Sequence, residues 1–150
     1  MTQLSGSGFS LAARSLKNFS NDVQSSAQQT QTLWNHDIDD QLIDVYNECS
    51  GANWDGLNAQ PVTIETLCLA RLFLNKLPRD LQKVEISGEP DGDINVEWYL
   101  APRKLLSVSI SNMGKLHYAA LIGDDDPRGT TSFLGEVPET IRHLIRRVTR

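Results

Sequence analysis

Four short segments between residues 84 and 120, in which apolar and polar residues alternate, constrain this chain more than any other feature. Val84 and Ile86 sit among polar neighbours. Ile94, Val96 and Trp98 alternate with Asp93, Asn95 and Glu97, and Leu106, Val108 and Ile110 alternate with Ser107, Ser109 and Ser111. Leu116, Tyr118 and Ala120 make the fourth segment. Because alternate side chains of a strand share a face, each segment reads as a strand with one buried face. The connectors Pro90-Asp91-Gly92-Asp93, Ala101-Pro102-Arg103 and Asn112-Met113-Gly114 are short and rich in turn residues. Short connectors join antiparallel neighbours, since a parallel pair needs a long crossover. The run is therefore expected to form an antiparallel meander with a polar outer face and helices against the other.

Helical periodicity brackets this run. Asp37 is a fair N-cap, and Ile38, Leu42, Val45 and Cys49 then draw one apolar stripe, predicting a helix over 37–49 that Ser50-Gly51 stops. Thr63 caps a second predicted helix over 64–77, ended by Pro78. Its apolar residues, from Ile64 through Leu67, Cys68, Ala70, Leu72, Phe73 and Leu74 to Leu77, exceed one stripe, so it is expected to be the most buried helix. Between the two lies an irregular segment, Asn53 to Pro61, in which Trp54 is expected to be a buried anchor. After the meander, Phe133 and Leu134 are expected to form a short strand. Pro138 then opens a last helix lined by Ile141, Leu144, Ile145 and Val148.

Residues 1–35 differ in kind, being rich in Ser, Gln, Asn and Thr, with a linker-like run over 25–32. Leu16, Phe19 and Val23 recur at helical spacing there, but so short a helix is marginal in water without something to dock on. The chain thus divides into a flexible arm, 1–35, that orders on binding, and a folded domain, 36–150. The length of 150 residues suits one domain with a tail.

Composition excludes several functions. A net charge of −5 disfavours a generic nucleic-acid binder, whose phosphate affinity rests on Lys and Arg. No apolar run approaches the length of about 18 residues that a membrane span needs, and the N-terminus shows no signal-peptide pattern. Cys49 and Cys68 sit in apolar helical patterns and read as buried reduced thiols, which suits the cytoplasm.

Charge is segregated. Residues 36–60 carry Asp37, Asp39, Asp40, Asp44, Glu48 and Asp55 without a Lys or Arg, whereas the C-terminal helix carries Arg142, Arg146, Arg147 and Arg150 without an acid in its last eleven residues. These blocks either face each other, face a partner, or are solvated helix faces. Signs of chemistry are sparse. Asp124-Asp125-Asp126 lacks the alternating ligands of a calcium loop, and adjacent loop side chains point apart. His36, His117 and His143 are too far apart for a zinc motif. There is no Gly-x-Ser-x-Gly elbow, phosphate loop or Cys-x-x-Cys pair. No catalytic residue, metal ligand or cofactor is assigned.

Asn53-Trp54-Asp55-Gly56, then Ala59-x-Pro61, a helix ending in Leu77-Pro78, and the Asp91-Gly92 turn before Ile94-Asn95-Val96-Glu97-Trp98 together form a pattern over about 53–122. It resembles a set of small uncharacterised bacterial proteins of the accessory type found in phage defence, toxin–antitoxin or mobile-element loci. The resemblance implies a fold and no defined activity.

These readings converge on an α+β domain: a four-stranded antiparallel meander packed on two to three helices, with a flexible N-terminal arm. The expected role is a non-enzymatic protein-binding module, an inhibitor or accessory subunit that occludes a partner's basic surface. The expected contact residues are Asp37, Asp39, Asp40 and Asp44, the arm residues Leu16, Phe19 and Val23, and Arg142 and Arg146. Two other classes stay open: a small metal-dependent hydrolase or nuclease using Asp124, Asp125 or Asp126 with His117, and a homo-oligomeric structural subunit.

Overall fold

The computed structural model describes residues 35–79 and 84–150, together with Ser25 and Leu33. The expected contacts Leu16, Phe19 and Val23 lie outside the described residues. Helix α1 covers residues 35–49, α2 covers Ile64–Asn75 and α3 covers Glu139–Thr149. Strands β1 (Glu85–Gly88), β2 (Ile94–Ala101), β3 (Lys104–Ile110), β4 (Lys115–Ile122) and β5 (Arg128–Ser132) form one sheet in chain order. Every neighbouring pair is antiparallel. The α+β meander is as expected, but it has five strands rather than four.

The alternation does what its period requires. Ile86, Ile94, Val96, Trp98, Leu106, Val108, Ile110, Leu116 and Ala120 are buried, with Trp98 the largest fully buried side chain. Helices α2 and α3 pack on this face against β2 and β3, and α3 also reaches β4. Phe73 of α2 meets the buried Phe133 edge-to-face, with ring centroids 5.8 Å apart. Each such aromatic or aliphatic side chain contributes about 1.5–3 kcal/mol by leaving water.

Helix α1 seals the β1 edge. Its stripe Ile38, Leu42, Val45 and Cys49 is buried as expected. The Gln41 amide donates to the Val84 carbonyl (3.3 Å) and accepts from the Ile86 N–H (3.0 Å), so one side chain satisfies backbone groups that a further strand would otherwise claim. At Gly88 the helix approaches so closely that a Cβ would lie 2.6 Å from Cys49 Sγ. Burial, then the neighbouring Glu48 carboxylate, raise the Cys49 thiol pKa, partly offset by the Gly88 N–H, so this cysteine is held as a thiol rather than a nucleophilic thiolate.

Several expectations are corrected. Strand β5 was not expected, because Arg128-Gly129-Thr130-Thr131-Ser132 has no apolar alternation and is held by its ladder to β4. Gly129 is required there: a Cβ would sit 2.6 Å from the Tyr118 hydroxyl oxygen. Phe133 and Leu134 follow this strand instead of forming one, and Leu134 is 90% exposed. Asp37 lies within α1 rather than capping it. Helix α2 starts at its Thr63 cap but ends at Asn75, before Leu77, and Pro138 is the N-cap of α3 rather than its first helical residue. Nor is α2 buried all round: Thr66, Ala70, Phe73 and Leu74 face inward, while Ile64, Leu72 and Cys68 are exposed. Trp54 is only half-buried, its indole N–H donating to the Gln60 carbonyl at 2.9 Å.

Candidate functional site

The register fixes which side chains share the open face of the sheet. Opposite partners are Ser87, Asn95, Ser109, His117 and Thr130 in one row, and Glu85, Glu97, Ser107, Ala119 and Arg128 in the next. Tyr99, Leu105 and Leu121 form a third. Charge runs across this face from acid on β1 and β2 to Arg128 and Lys115 on β5 and β4.

The acidic end is concave. A groove of about 520 Å³ is lined by Asp37 and Gln41 of α1, Val84 and Glu85 at β1, and Glu97 and Tyr99 of β2. Glu85 stands directly opposite Glu97 in the ladder. Like charges in such a pair destabilise a sheet, so the arrangement weakens the fold at this point. Asp37 adds a third carboxylate from the helix. Tyr99 is 60% exposed and presents a ring at the groove's end. No described Lys or Arg lines the groove. Three carboxylates and an aromatic face are the chemistry that receives an ammonium or guanidinium group.

A second acidic group lies at the β1–β2 turn. Carboxylate oxygens of Glu89, Asp91 and Asp93 lie within 4.8 Å of one another. Burial, followed by the Asp91 and Glu89 charges, pushes the Asp93 carboxyl up to about 6, with His117 acting in the opposite direction. The turn also satisfies these groups internally: Asp91 accepts from the Asp93 N–H (3.2 Å), and Glu89 accepts from the Ser109 hydroxyl. Sequence reasoning did not single out this cluster, although the Pro90-Asp91-Gly92-Asp93 turn was visible.

The expected contact residues do not come together as one site. On α1, Asp39 binds Arg71 through two 2.8 Å bonds, Asp40 pairs with His36 at 2.8 Å, and Asp37 accepts from Gln41 at 3.1 Å. Asp44 pairs with no described cation, and of the four aspartates only Asp37 reaches the groove. Among the described residues, no ion pair joins the acidic block to the basic one. Arg142 donates to the Val137 carbonyl at 3.0 Å, and Arg146 pairs with Glu139 at 2.5 Å. Both meet partners at the start of their own helix, and the Arg146 hydrogen bond holds the Glu139 carboxyl below its ordinary range.

The Asp124–Asp126 turn is distributed among three arginines: Asp124 with Arg103 (3.0 Å), Asp125 with Arg147 (2.8 Å) and Asp126 with Arg128 (2.5 Å). His117 instead faces Thr130, with Nδ1 2.9 Å from the hydroxyl oxygen. It lies five residues before the end of β4 at Ile122, about 16 Å along a strand, and does not converge on the turn.

The groove residues Glu85, Glu97 and Tyr99 were missed in sequence. Their signal was present: counting outward from the Asp91-Gly92 turn places Glu85 opposite Glu97 on the polar face. Among the described residues, no helix is long and apolar enough to cross a membrane. Compared with protein-family models, curated proteins and solved structures, the chain gives no significant match.

Proposed function

We propose that this chain is a non-enzymatic protein-binding module that takes a basic segment of its partner into the groove between α1 and the β1–β2 edge. The observation that carries the reading is the opposed Glu85–Glu97 pair, joined by Asp37 in a concavity without a described basic side chain. A cross-strand repulsion that lowers stability is explained when a bound cation relieves it, since charge complementarity supplies both steering and specificity. In this reading the module acts as an inhibitor or accessory subunit of a bacterial defence, anti-defence or toxin–antitoxin system, and works by covering a functional basic surface.

The defined test uses the full chain and a fluorescent Lys/Arg-rich peptide of about ten residues. Anisotropy should show binding that weakens steeply with salt and is lost in a Glu85→Gln/Glu97→Gln double variant. Equal binding by the double variant refutes the assignment of the groove. Affinity capture from a bacterial lysate with the two proteins side by side then names the partner, as the protein retained by the wild type alone.

A further inference from the structure

The open face breaks its own pattern at one place. Its other two full rows are polar or small apart from the charged ends, as a solvated sheet face should be. In the row beside the groove, three adjacent strands each place an apolar side chain on the solvent side: Tyr99 on β2, Leu105 on β3 and Leu121 on β4. Tyr99 is 60% exposed, and Leu105 and Leu121 are half-buried. Single exposed apolar residues are ordinary. Three in one ladder row, coinciding on three strands, form a continuous strip. Tyr99 belongs both to this strip and to the lining of the acidic groove, so the two surfaces are continuous.

We infer that the Tyr99–Leu105–Leu121 row is the specificity-determining half of a bipartite docking surface for an extended partner segment that carries a Lys or Arg and a large apolar residue two positions apart. This rests on the groove taking the basic residue. The spacing follows from the strand that displays both halves. Glu97 and Tyr99 are two residues apart on one face of β2, about 6.6 Å at the strand rise. An extended segment running along β2 repeats that spacing, so a cation over Glu97 sets its next same-side residue over the apolar row. Charge complementarity fixes the register, and removal of the apolar side chain from water supplies selectivity among basic segments.

Three labelled peptides of about ten residues decide this against the full chain. One carries Lys and Leu two positions apart, one has Ser in place of that Leu, and one has Lys and Leu adjacent, on opposite sides of an extended chain. The first should bind about tenfold more tightly than the other two. Leu121→Ser and, independently, Leu105→Ser, neither of which lines the groove, should each remove most of that preference while leaving the affinity for the Ser-containing peptide unchanged. Thermal melts of both variants confirm folding. Equal affinity for all three peptides overturns the bipartite surface and leaves the basic groove standing. Binding of none of them overturns both. A dimer seen by sedimentation that dissociates in Leu121→Ser assigns the row to a second copy and also overturns the proposal.

Discussion

Reversing one charge of the opposed glutamates separates stability from binding. Directly opposed residues place their Cβ atoms about 5 Å apart, and flexible carboxylates can relax to about 6 Å. At that distance two unit charges in water repel by about 0.7 kcal/mol. Screening over a Debye length of about 8 Å at physiological salt brings this to about 0.3 kcal/mol. Glu85→Lys turns the repulsion into an attraction of similar size, so the folded state should gain about 1 kcal/mol at low salt and about half that at physiological salt. For a domain of this size a gain of about 1 kcal/mol raises the Tm by about 4 °C. The same change puts a cation into the groove, and capture of a Lys/Arg-rich peptide should fall at least about tenfold. Thermal unfolding at about 0.05 M and about 0.5 M salt, paired with peptide anisotropy, reads both effects. The wild type should gain on the variant as salt rises. A variant that is no more stable at low salt, or one that is stabilised yet binds peptide fully, refutes the reasoning.

Gln41→Ala should cost about 1–2 kcal/mol in chemical unfolding, because it strips partners from the Val84 carbonyl and the Ile86 N–H together. It should also raise concentration-dependent association through the uncovered edge, visible by light scattering; an unchanged midpoint refutes the sealing role. Trp98→Ala should cost about 3–5 kcal/mol, whereas Trp98→Phe should cost under about 1.5 kcal/mol, because the buried indole N–H has no partner among the described residues and its loss relieves a desolvated donor. A phenylalanine variant as unstable as the alanine one would show that the indole is hydrogen-bonded. For Asp93 the folded pKa of about 6 exceeds the ordinary 3.8, so the folded state binds the extra proton and stability falls as pH rises from about 4 to about 6. Discounted for partial exposure, the loss is about 1 kcal/mol. Asp93→Asn should flatten that slope in denaturant titrations, and a slope unchanged by the substitution refutes it.

Much of the fold was legible because local periodicity and burial agree. The alternation through Ile94, Val96 and Trp98 and the stripe from Ile38 to Cys49 each carry their own solution, since one apolar face dictates which side turns inward. Where apolar residues crowd all round α2, the pattern could not choose a face. The packing chose Thr66, Ala70, Phe73 and Leu74 and left Cys68 outside. Strand β5 shows the complementary failure: Gly129-Thr130-Thr131 has weak preferences of its own and becomes a strand because β4 offers an unpaired edge and Tyr118 needs the space above a glycine.

The charged residues divide along the same line. From its own sequence the chain determined that acids dominate α1 and bases dominate α3, but long charged side chains find partners through space. Only the tertiary structure decided that Asp39 goes to Arg71, that the three aspartates of the β4–β5 turn go to three different arginines, and that Arg146 stays on its own helix. Likewise the alternation alone put Glu85, Glu97 and Tyr99 on the outer face. It took the ladder register to set the two glutamates opposite each other, and the docking of α1 on the β1 edge to bring Asp37 over them. Period and composition act within a segment, whereas a site is a meeting of segments, and the energy that brings them together lies in the packed core between them.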